Sequence, residues 1–438
     1  MRRLPLVALF VANAVSLTGS VLTLTAIPWF VLQTTGSAAR AGLTAFASAL
    51  AVVIASLLGG ALVDRLGHRR TSILGDLTSG TAVALVPVLY YTVGLSFWQL
   101  LVLVFFANVF DAPGTTARTS LVPSVAESAG VSLERASATI LAVQRGARLV
   151  GAPLAGALIA ILGASRLLWL DAATFGFSAL LIGIAISSPA LSMAPSEDEA
   201  APGGYLQQVR EGFRFIAQDR LIRAIVLTVM VTNFLDAPLF SVIMPVYATR
   251  VLGSAIDLGL MVSVFGGGAL IGVLGFGVVG HLLPRHVVFV TCFIVLGLPF
   301  WLLASLPPFP VILVALVVSG VASGPINPII YTVVYERVPR AMLGRVFSAV
   351  TAGAFLAIPL GVLFAGYLLD AAGIQITMIG VATSYLVVTM SLALNPAMAK
   401  MDRLSTGKTV TAESPKGRTR LEKGLTSQET TEPVEKGV

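Results

Sequence analysis

Apolar residues along this chain gather into twelve long runs, set apart by short clusters of charge, glycine and proline. Six lie at about 5–33, 39–63, 72–94, 97–117, 136–163 and 167–188, and six more at about 221–249, 256–283, 286–306, 309–335, 343–371 and 374–397. A helix of about 20 apolar residues crosses the roughly 30 Å of hydrocarbon in a bilayer. Because lipid offers no partners for N–H and C=O groups, a single crossing segment satisfies its backbone by being helical. The pattern therefore predicts an all-α integral membrane protein of twelve transmembrane helices.

The two blocks of six repeat. A shift of 217 places Pro28 on Pro245, Gly36 on Gly253, Ser37 on Ser254, Gly42 on Gly259 and Gly60 on Gly277; a shift of 210 places Arg135 on Arg345, Gly151 on Gly361, Gly156 on Gly366 and Gly163 on Gly373. Glycine and proline positions tolerate least change where helices end or pack closely, so duplication of a six-helix unit explains both offsets. The expected organisation is an N-terminal six-helix bundle over 1–188, a linker over 189–220, a C-terminal six-helix bundle over 221–398 and a disordered tail over 399–438. The linker opens with proline, serine and an acidic run. Within it Leu206, Val209, Phe213 and Ile216 form an amphipathic stripe with Arg210 and Arg214 turned away, which suits a helix at the inner leaflet or one packed on the loops. The tail lacks the large apolar residues that folding requires.

Composition agrees: 56% of the 438 residues are hydrophobic and 11% are charged, and the mean hydropathy is +0.92. The net charge of +7 could suggest nucleic acid, but the basic residues sit in clusters between the runs. Arg65, Arg69, Arg70, Arg118, Arg135 and Arg337 share one side with most others, against Arg40, Arg166 and Arg250 opposite. By the positive-inside rule both termini are cytoplasmic, in the inner (plasma) membrane. Met1-Arg2-Arg3 and the apolar residues after it mimic a signal peptide, yet the run is long enough to read as an uncleaved first helix. The single cysteine, Cys292, excludes an internal disulfide. No GxxxxGK[ST] loop, GxSxG, HExxH or Cys/His cluster occurs, so the chain is expected to be no enzyme, to hydrolyse no ATP and to hold no metal or cofactor.

The stretch from Gly59 to Arg70, GGALVDRLGHRR, closes the second run. It resembles the GxLxDRxGRR signature of the major facilitator superfamily, matching at Gly60, Leu62, Asp64, Arg65, Gly67, Arg69 and Arg70, with His68 in place of a usual basic residue. The resemblance implies two pseudo-symmetric six-helix halves that alternate access across the membrane. It also implies a conformational gate of Gly60, Asp64, Arg65, Gly67 and Arg69. A carboxylate is favoured at a helix N-terminus, so Asp64 can latch onto the eleventh helix near Leu343, with Arg345 as an ion-pair partner. In the second-half copy His281, Leu282 and Pro284 stand where the acid, arginine and glycine would be. In the fifth run, Gly151, Pro153 and Gly156 resemble the GPxxGG-like helix-packing motif of exporters in the superfamily, with Ala152 interrupting it. The look is closest to the macrolide-efflux and siderophore-exporter branch.

Charges inside the spans need partners or a function. Asp111, Arg145, Arg148 and Asp236 qualify. The superfamily lines its central cavity with helices one, four, seven and ten, which makes Asp111 and Asp236 candidates for proton or substrate contact; Arg148 is an alternative partner for Asp111. Asn13, Asn108, Asn233, Asn327 and Tyr331 are further candidates for hydrogen bonds to a substrate, or glue within the bundle. The histidines all fall in connections, which leaves a carboxylate, Asp236 first, to carry a coupled proton. The expected function is proton-coupled export of a lipophilic small molecule (a drug, a macrolide-like compound or a siderophore) by a monomer in the lipid bilayer, with no nucleic-acid partner. Import or lysophospholipid flipping through the same fold is the alternative, and a membrane receptor or scaffold the non-transport one.

Overall fold

The apolar runs fold as helices. The computed structural model describes residues 3–186 and 205–402, the side chains of 57, 58, 60, 61, 64, 205–209, 341 and 399 excepted. The linker residues before 205 and nearly all of the expected tail lie outside this range. The first half contains α1 (Leu4–Thr35), α2 (Ala38–Leu66), α3 (His68–Tyr91), α4 (Phe97–Ser120), the short α5 (Val122–Ser128), α6 (Leu133–Leu162) and α7 (Ala164–Ala185). After α8 (Tyr205–Gln218) comes the second half. It begins with α9 (Arg220–Pro238), which continues through π-helical turns and α10 (Met244–Tyr247) to Leu252. There follow α11 (Ala255–Val279), α12 (Arg285–Ala304), α13 (Phe309–Ser323), α14 (Ile326–Arg337), α15 (Leu343–Leu356) and α16 (Ile358–Leu394).

Among the described residues, eleven helical stretches are long and apolar enough to span a bilayer, and one of them, Leu343–Leu394, has 52 residues. At 1.5 Å per residue that stretch would reach about 78 Å, more than two crossings. It breaks at Gly373, whose φ of 79° lies outside the helical region, so it supplies the eleventh and twelfth passes. We call the face at which α1 begins proximal and the opposite face distal.

The repeat is visible in backbone conformation. Gly36 ends α1 at φ 66° and its counterpart Gly253 ends the seventh pass at φ 68°, both in the left-handed form that glycine adopts without strain. The serines that follow cap the next helices alike: Ser37 accepts from the Arg40 amide and Ser254 from the Asp257 amide. Equivalent glycines also meet across the halves. A methyl on Gly42 would lie 2.8 Å from the Val362 carbonyl and 2.9 Å from Gly366; one on Gly156 would lie 2.5 Å from the Ala255 carbonyl and 3.1 Å from Gly259. Gly42 corresponds to Gly259 and Gly156 to Gly366, so the two contacts are copies related by the pseudo-twofold axis. Small residues let backbones approach where lipid provides no hydrophobic drive between helices.

These crossings belong to the distal third of the bundle, and so do the polar contacts between halves. Among the described residues, every hydrogen bond joining the first half to the second involves Gly36, Ser37, Ala38 or Ala39. The proximal ion pairs, Arg285 with Glu336, Arg337 with Asp219, His286 with Asp402 and Arg345 with Glu211, all stay on the second half and the α8 packed against it. The halves are thus tied together distally.

The amphipathic stripe becomes α8, which rests on α15. A methyl on Gly212 would lie 2.3 Å from the Arg345 carbonyl, Ile216 is buried and Phe213 is exposed. Beyond α8, the Asp219 side chain caps α9 through the Leu221 and Ile222 amides.

Candidate functional site

A cavity of about 260 Å³ lies between the halves, slightly below the 300–1,000 Å³ usual for small-molecule sites. α1 contributes Ser20, Thr23 and Ile27, and α2 contributes Thr44, Ser48 and Val52. α3 and α4 add Val83, Val104, Asn108 and Asp111, and α7 adds Asp171 and Phe175. The second half closes the wall with Ala237, Ser241, Ile358 and Val362. The surface is chiefly aliphatic, with hydroxyls, one amide and two carboxylates. Asp111 and Asp171 are its only ionisable side chains among the described residues.

Among the described residues, neither acid has an ion-pair partner. Asp111 accepts from Thr115 one turn along α4, at 3.5 Å. Asp171 is fully buried; Thr23 of α1 donates to its Oδ2 and Thr174 donates to its Oδ1 at 3.1 Å. Room for that carboxyl comes from Gly19, where a methyl would lie 2.2 Å from Asp171 Oδ1. Asp171 escaped the sequence reading because it sits near the start of its run, five residues after Arg166, where a charge reads as part of a connection. Two acids sharing one aliphatic space would have been the signal, but that needs the fold.

Beside the cavity, toward the proximal face, is a buried ion pair. Arg118 Nη1 donates to both oxygens of Asp76, at 3.2 and 3.0 Å, and to Ser178 Oγ at 2.6 Å; Ser178 in turn donates to Asp76 Oδ2 at 2.6 Å. Arg118 is wholly buried, which corrects its assignment to a solvated connection. It stands on the last turn of α4, where the apolar run thins, but the half packs around it. The Asp76, Arg118 and Ser178 network joins α3, α4 and α7 and supplies much of the hydrogen bonding a buried charge pair needs, although Arg118 Nε is left without a partner.

The remaining candidates scatter. Arg148 is exposed and does not pair with Asp111, because α6 turns it away from α4 and Asp76 already occupies the buried arginine. Asp236 stands outside the cavity lining: Tyr385 of α16 donates to its Oδ2 at 3.2 Å, behind the wall formed by Ala237 and Ser241. Asn108 does line the cavity, bonded to Ser48 Oγ at 3.4 Å and to the Val104 carbonyl at 2.8 Å. Asn233 donates to the Ala354 carbonyl at 2.7 Å, joining α9 to α15. Asn13 is buried with neither amide atom bonded. Asn327 and Tyr331 are exposed, and Tyr331 rests edge-on against Phe347.

Of the loop motif, Gly67 ends α2 at φ 78°, Arg65 is exposed, and Arg69 donates to the Gly183 carbonyl at 2.7 Å, tying α3 to α7. The side chains at 60 and 64 lie outside the described residues. Arg345, offered as the partner of Asp64, pairs with Glu211 of α8 in this conformation. In the fifth pass, Gly151 packs on Val21 of α1 and Gly156 on α11 of the other half, with Pro153 between them inside α6.

The family model described as Major Facilitator Superfamily matches residues 9–283 and 226–422, nearly the whole chain. The chain belongs to the major facilitator superfamily. Multidrug efflux pump Tap of Mycobacterium tuberculosis (strain ATCC 25618 / H37Rv) is 35% identical over 402 residues, which cover 91% of this chain and 95% of that one. Macrolide efflux protein A of Streptococcus pyogenes is 20% identical over 376 residues, covering 85% and 91%. Among solved structures, the nucleoside transporter NupG superposes with a TM-score of 0.71 at 12% identity, covering 92% of this chain and all of that one.

This major facilitator chain falls in the drug-efflux branch. It is a multi-pass membrane transporter acting on small molecules rather than an enzyme. The cavity is bounded by residues of both halves.

Proposed function

We propose that this chain is an efflux permease that exports lipophilic small molecules from the cytoplasm in exchange for protons. The observation that carries the reading is the cavity between the halves: aliphatic on most of its surface, supplied with scattered hydroxyls and carrying two acids with no base. Such a surface takes its cargo mainly by excluding water from apolar area, about 25 cal/mol per Å² buried, and tolerates varied shapes. The identity to multidrug efflux pump Tap over 95% of that protein supports the same direction of transport.

In this reading the arginine-rich proximal face is cytoplasmic and both termini lie there, in the plasma membrane. With its halves tied at the distal face, the conformation described is the cytoplasm-facing one. Asp64 would latch the proximal face in the opposite state, and Arg345 would then exchange Glu211 for Asp64. The protein acts as a monomer, since a complete cavity is built from one chain. Coupling requires a carboxylate that exchanges protons within the bundle: Asp111 faces the cavity and Asp236 stands one layer behind it.

The test is transport by the purified chain in liposomes. An imposed inside-acid gradient should drive uptake of a fluorescent lipophilic compound by molecules whose proximal face points outward, and a protonophore should abolish it. Uptake indifferent to the gradient would remove the proton from the proposal. Cells overproducing the chain should accumulate less of the compound; greater accumulation would overturn export.

A further inference from the structure

The tie at the distal face leaves a lateral opening on the proximal side, between α6 and α11. The two helices cross tightly at Gly156 and Gly259: a methyl on Gly259 would lie 2.7 Å from the Ala152 carbonyl, and one on Gly267 would still lie 3.9 Å from Leu149. Toward the proximal face the same stripes continue, at the three- and four-residue spacing of one helix face, as Arg145 and Leu141 on α6 and as Leu270, Leu274 and Gly277 on α11. There the helices no longer cover each other. Leu141, Arg145 and Leu274 are exposed, and a methyl on Gly277 would meet nothing within 4 Å.

The opening carries unmatched charge. Arg145 lies on the stripe that faces α11, and Arg148, one turn deeper, lies between that stripe and the Gly151 face packed on α1. Both are exposed, and neither has an ion-pair partner among the described residues. The described acids at the proximal end of the second half are all paired with other bases, and Asp76 is paired with Arg118. Asp111 and Asp171 are bonded to hydroxyls, and Glu134 on α6 itself stands about 16 Å from Arg145 along the axis. Like charges one turn apart repel; an oxyanion that accepts from both guanidinium groups removes the repulsion and uses their fork geometry.

Depth points to the source of that anion. At 1.5 Å per residue Arg145 and Arg148 lie about 27 and 22 Å along α6 from Gly163 at its distal end. On the roughly 30 Å scale of the hydrocarbon this is its proximal edge, where lipid phosphates begin. We propose that the opening between α6 and α11 holds an anionic phospholipid of the proximal leaflet, its phosphate bridging Arg145 and Arg148 and an acyl chain lying along Leu141, Leu270 and Leu274. The lipid acts as a wedge. Closing the proximal side brings α11 back onto the Arg145 stripe and expels it, so the bound lipid favours the described conformation by its difference in affinity for the two states. The site is independent of the cargo and of the coupling ion, and its failure would leave the efflux reading standing.

The test is binding of dioleoylphosphatidylglycerol to the full-length chain in detergent, read by native mass spectrometry. Dioleoylphosphatidylcholine is the zwitterionic comparison, and glycerol 1-phosphate supplies an anionic headgroup without chains. Wild type should bind the anionic lipid at least about fivefold more tightly than the zwitterionic one, and Arg145→Gln combined with Arg148→Gln should erase the preference. The same preference in wild type and double variant would overturn the proposal. Displacement of the lipid by an equimolar amount of glycerol 1-phosphate would overturn it too, making the occupant a soluble anion. If the double variant gives no folded protein, Arg145→Gln alone carries the test: a preference at least halved supports the site, and an unchanged one overturns it. The wedge is read by spin labels at Glu134→Cys and Leu282→Cys, both exposed near the proximal ends of α6 and α11, in a Cys292→Ala background. In nanodiscs the anionic lipid should enlarge the long-distance population of wild type and leave the double variant unmoved; wild-type distances indifferent to the lipid would overturn the wedge.

Discussion

Replacing Asp370 by alanine should release the distal face. Asp370, three residues before the break in α16, accepts from Ser37 Oγ at 2.6 Å and from the Ala38 and Ala39 amides at 2.9 and 2.8 Å. It therefore caps the N-terminus of α2 from the opposite half. Arg250 closes the cluster, donating to Asp370 at 2.8 Å and to the Gly36 carbonyl at 2.8 Å. Hydrogen bonds to a charged acceptor contribute about 1.5–3 kcal/mol when sheltered, but the Asp370 side chain is 28% exposed, so the lower range of an N-cap, about 0.5–2 kcal/mol, is the better guide. The exposed Arg250 pair is worth about 0.2–1 kcal/mol, but it lies within the second half and so adds nothing to the bias between the two conformations. Water would replace part of each bond once the face opened. The net bias toward the described conformation is then about 1 kcal/mol, roughly fivefold in the equilibrium between the two states. The assay is a spin-label distance between Val93→Cys and Ser305→Cys, both exposed near the distal face, in a Cys292→Ala background. Wild type should show one short distance. Asp370→Ala should add a longer population, while Arg250→Ala, which spares the helix cap, should shift less. Coincident distance distributions for wild type and Asp370→Ala in monodisperse protein would refute the reasoning.

Further outcomes follow from other contacts. Gly42→Val and Gly156→Val place a side chain against a facing carbonyl, so each should separate the halves distally and stop transport, read by the same label pair and by liposome uptake; full activity in either would contradict the close approach. Arg118→Leu leaves Asp76 buried without its partner and should destabilise the protein by about 3–5 kcal/mol; adding Asp76→Leu should recover much of the loss, measured as melting temperature and yield in detergent. At the proximal face, burial would raise the Asp219 carboxyl, but the Ile222 amide, the Arg337 guanidinium and the Leu221 amide outweigh it and hold the group below its ordinary range. Its stabilisation is complete above the ordinary carboxylate range near pH 4 and disappears as the pH falls through the lowered value. Asp219→Ala should lower the melting temperature near neutral pH, and the gap from wild type should narrow at strongly acid pH; a gap independent of pH would count against the ion-pair and capping account.

Much of the architecture was legible because a bilayer restricts what an apolar run can do. The twelve runs, the glycine and serine pairs at the two offsets, and the loop signature from Gly60 to Arg70 are local patterns, and local rules read them. Choice of partner is not local. Asp76 lies 42 residues from Arg118, and Ser178 lies 102 residues from Asp76, so nothing along the chain announced that Arg118 is buried. The search for charges at span centres favoured Asp111, Arg148 and Asp236 over Asp171 and Asp370, which stand nearer the ends of their runs. Asp236 turned toward Tyr385 and Arg345 toward Glu211 because helix rotation and the seating of α8 are settled by packing, which periodicity in so uniformly apolar a sequence hardly records.

The Asp76 and Arg118 pair also bears on how the protein is made. Synthesis delivers α3 to the membrane before α4, so Asp76 arrives while its counter-ion is still being translated. Both are buried, so either alone would be an uncompensated charge inside the bundle; together they are neutralised. The α3–α4 hairpin is thus the smallest piece that can leave the insertion machinery with these two charges matched, and Ser178 on α7 completes their bonding only after the sixth pass arrives. A chain stopped between these helices would hold Asp76 without its counter-ion.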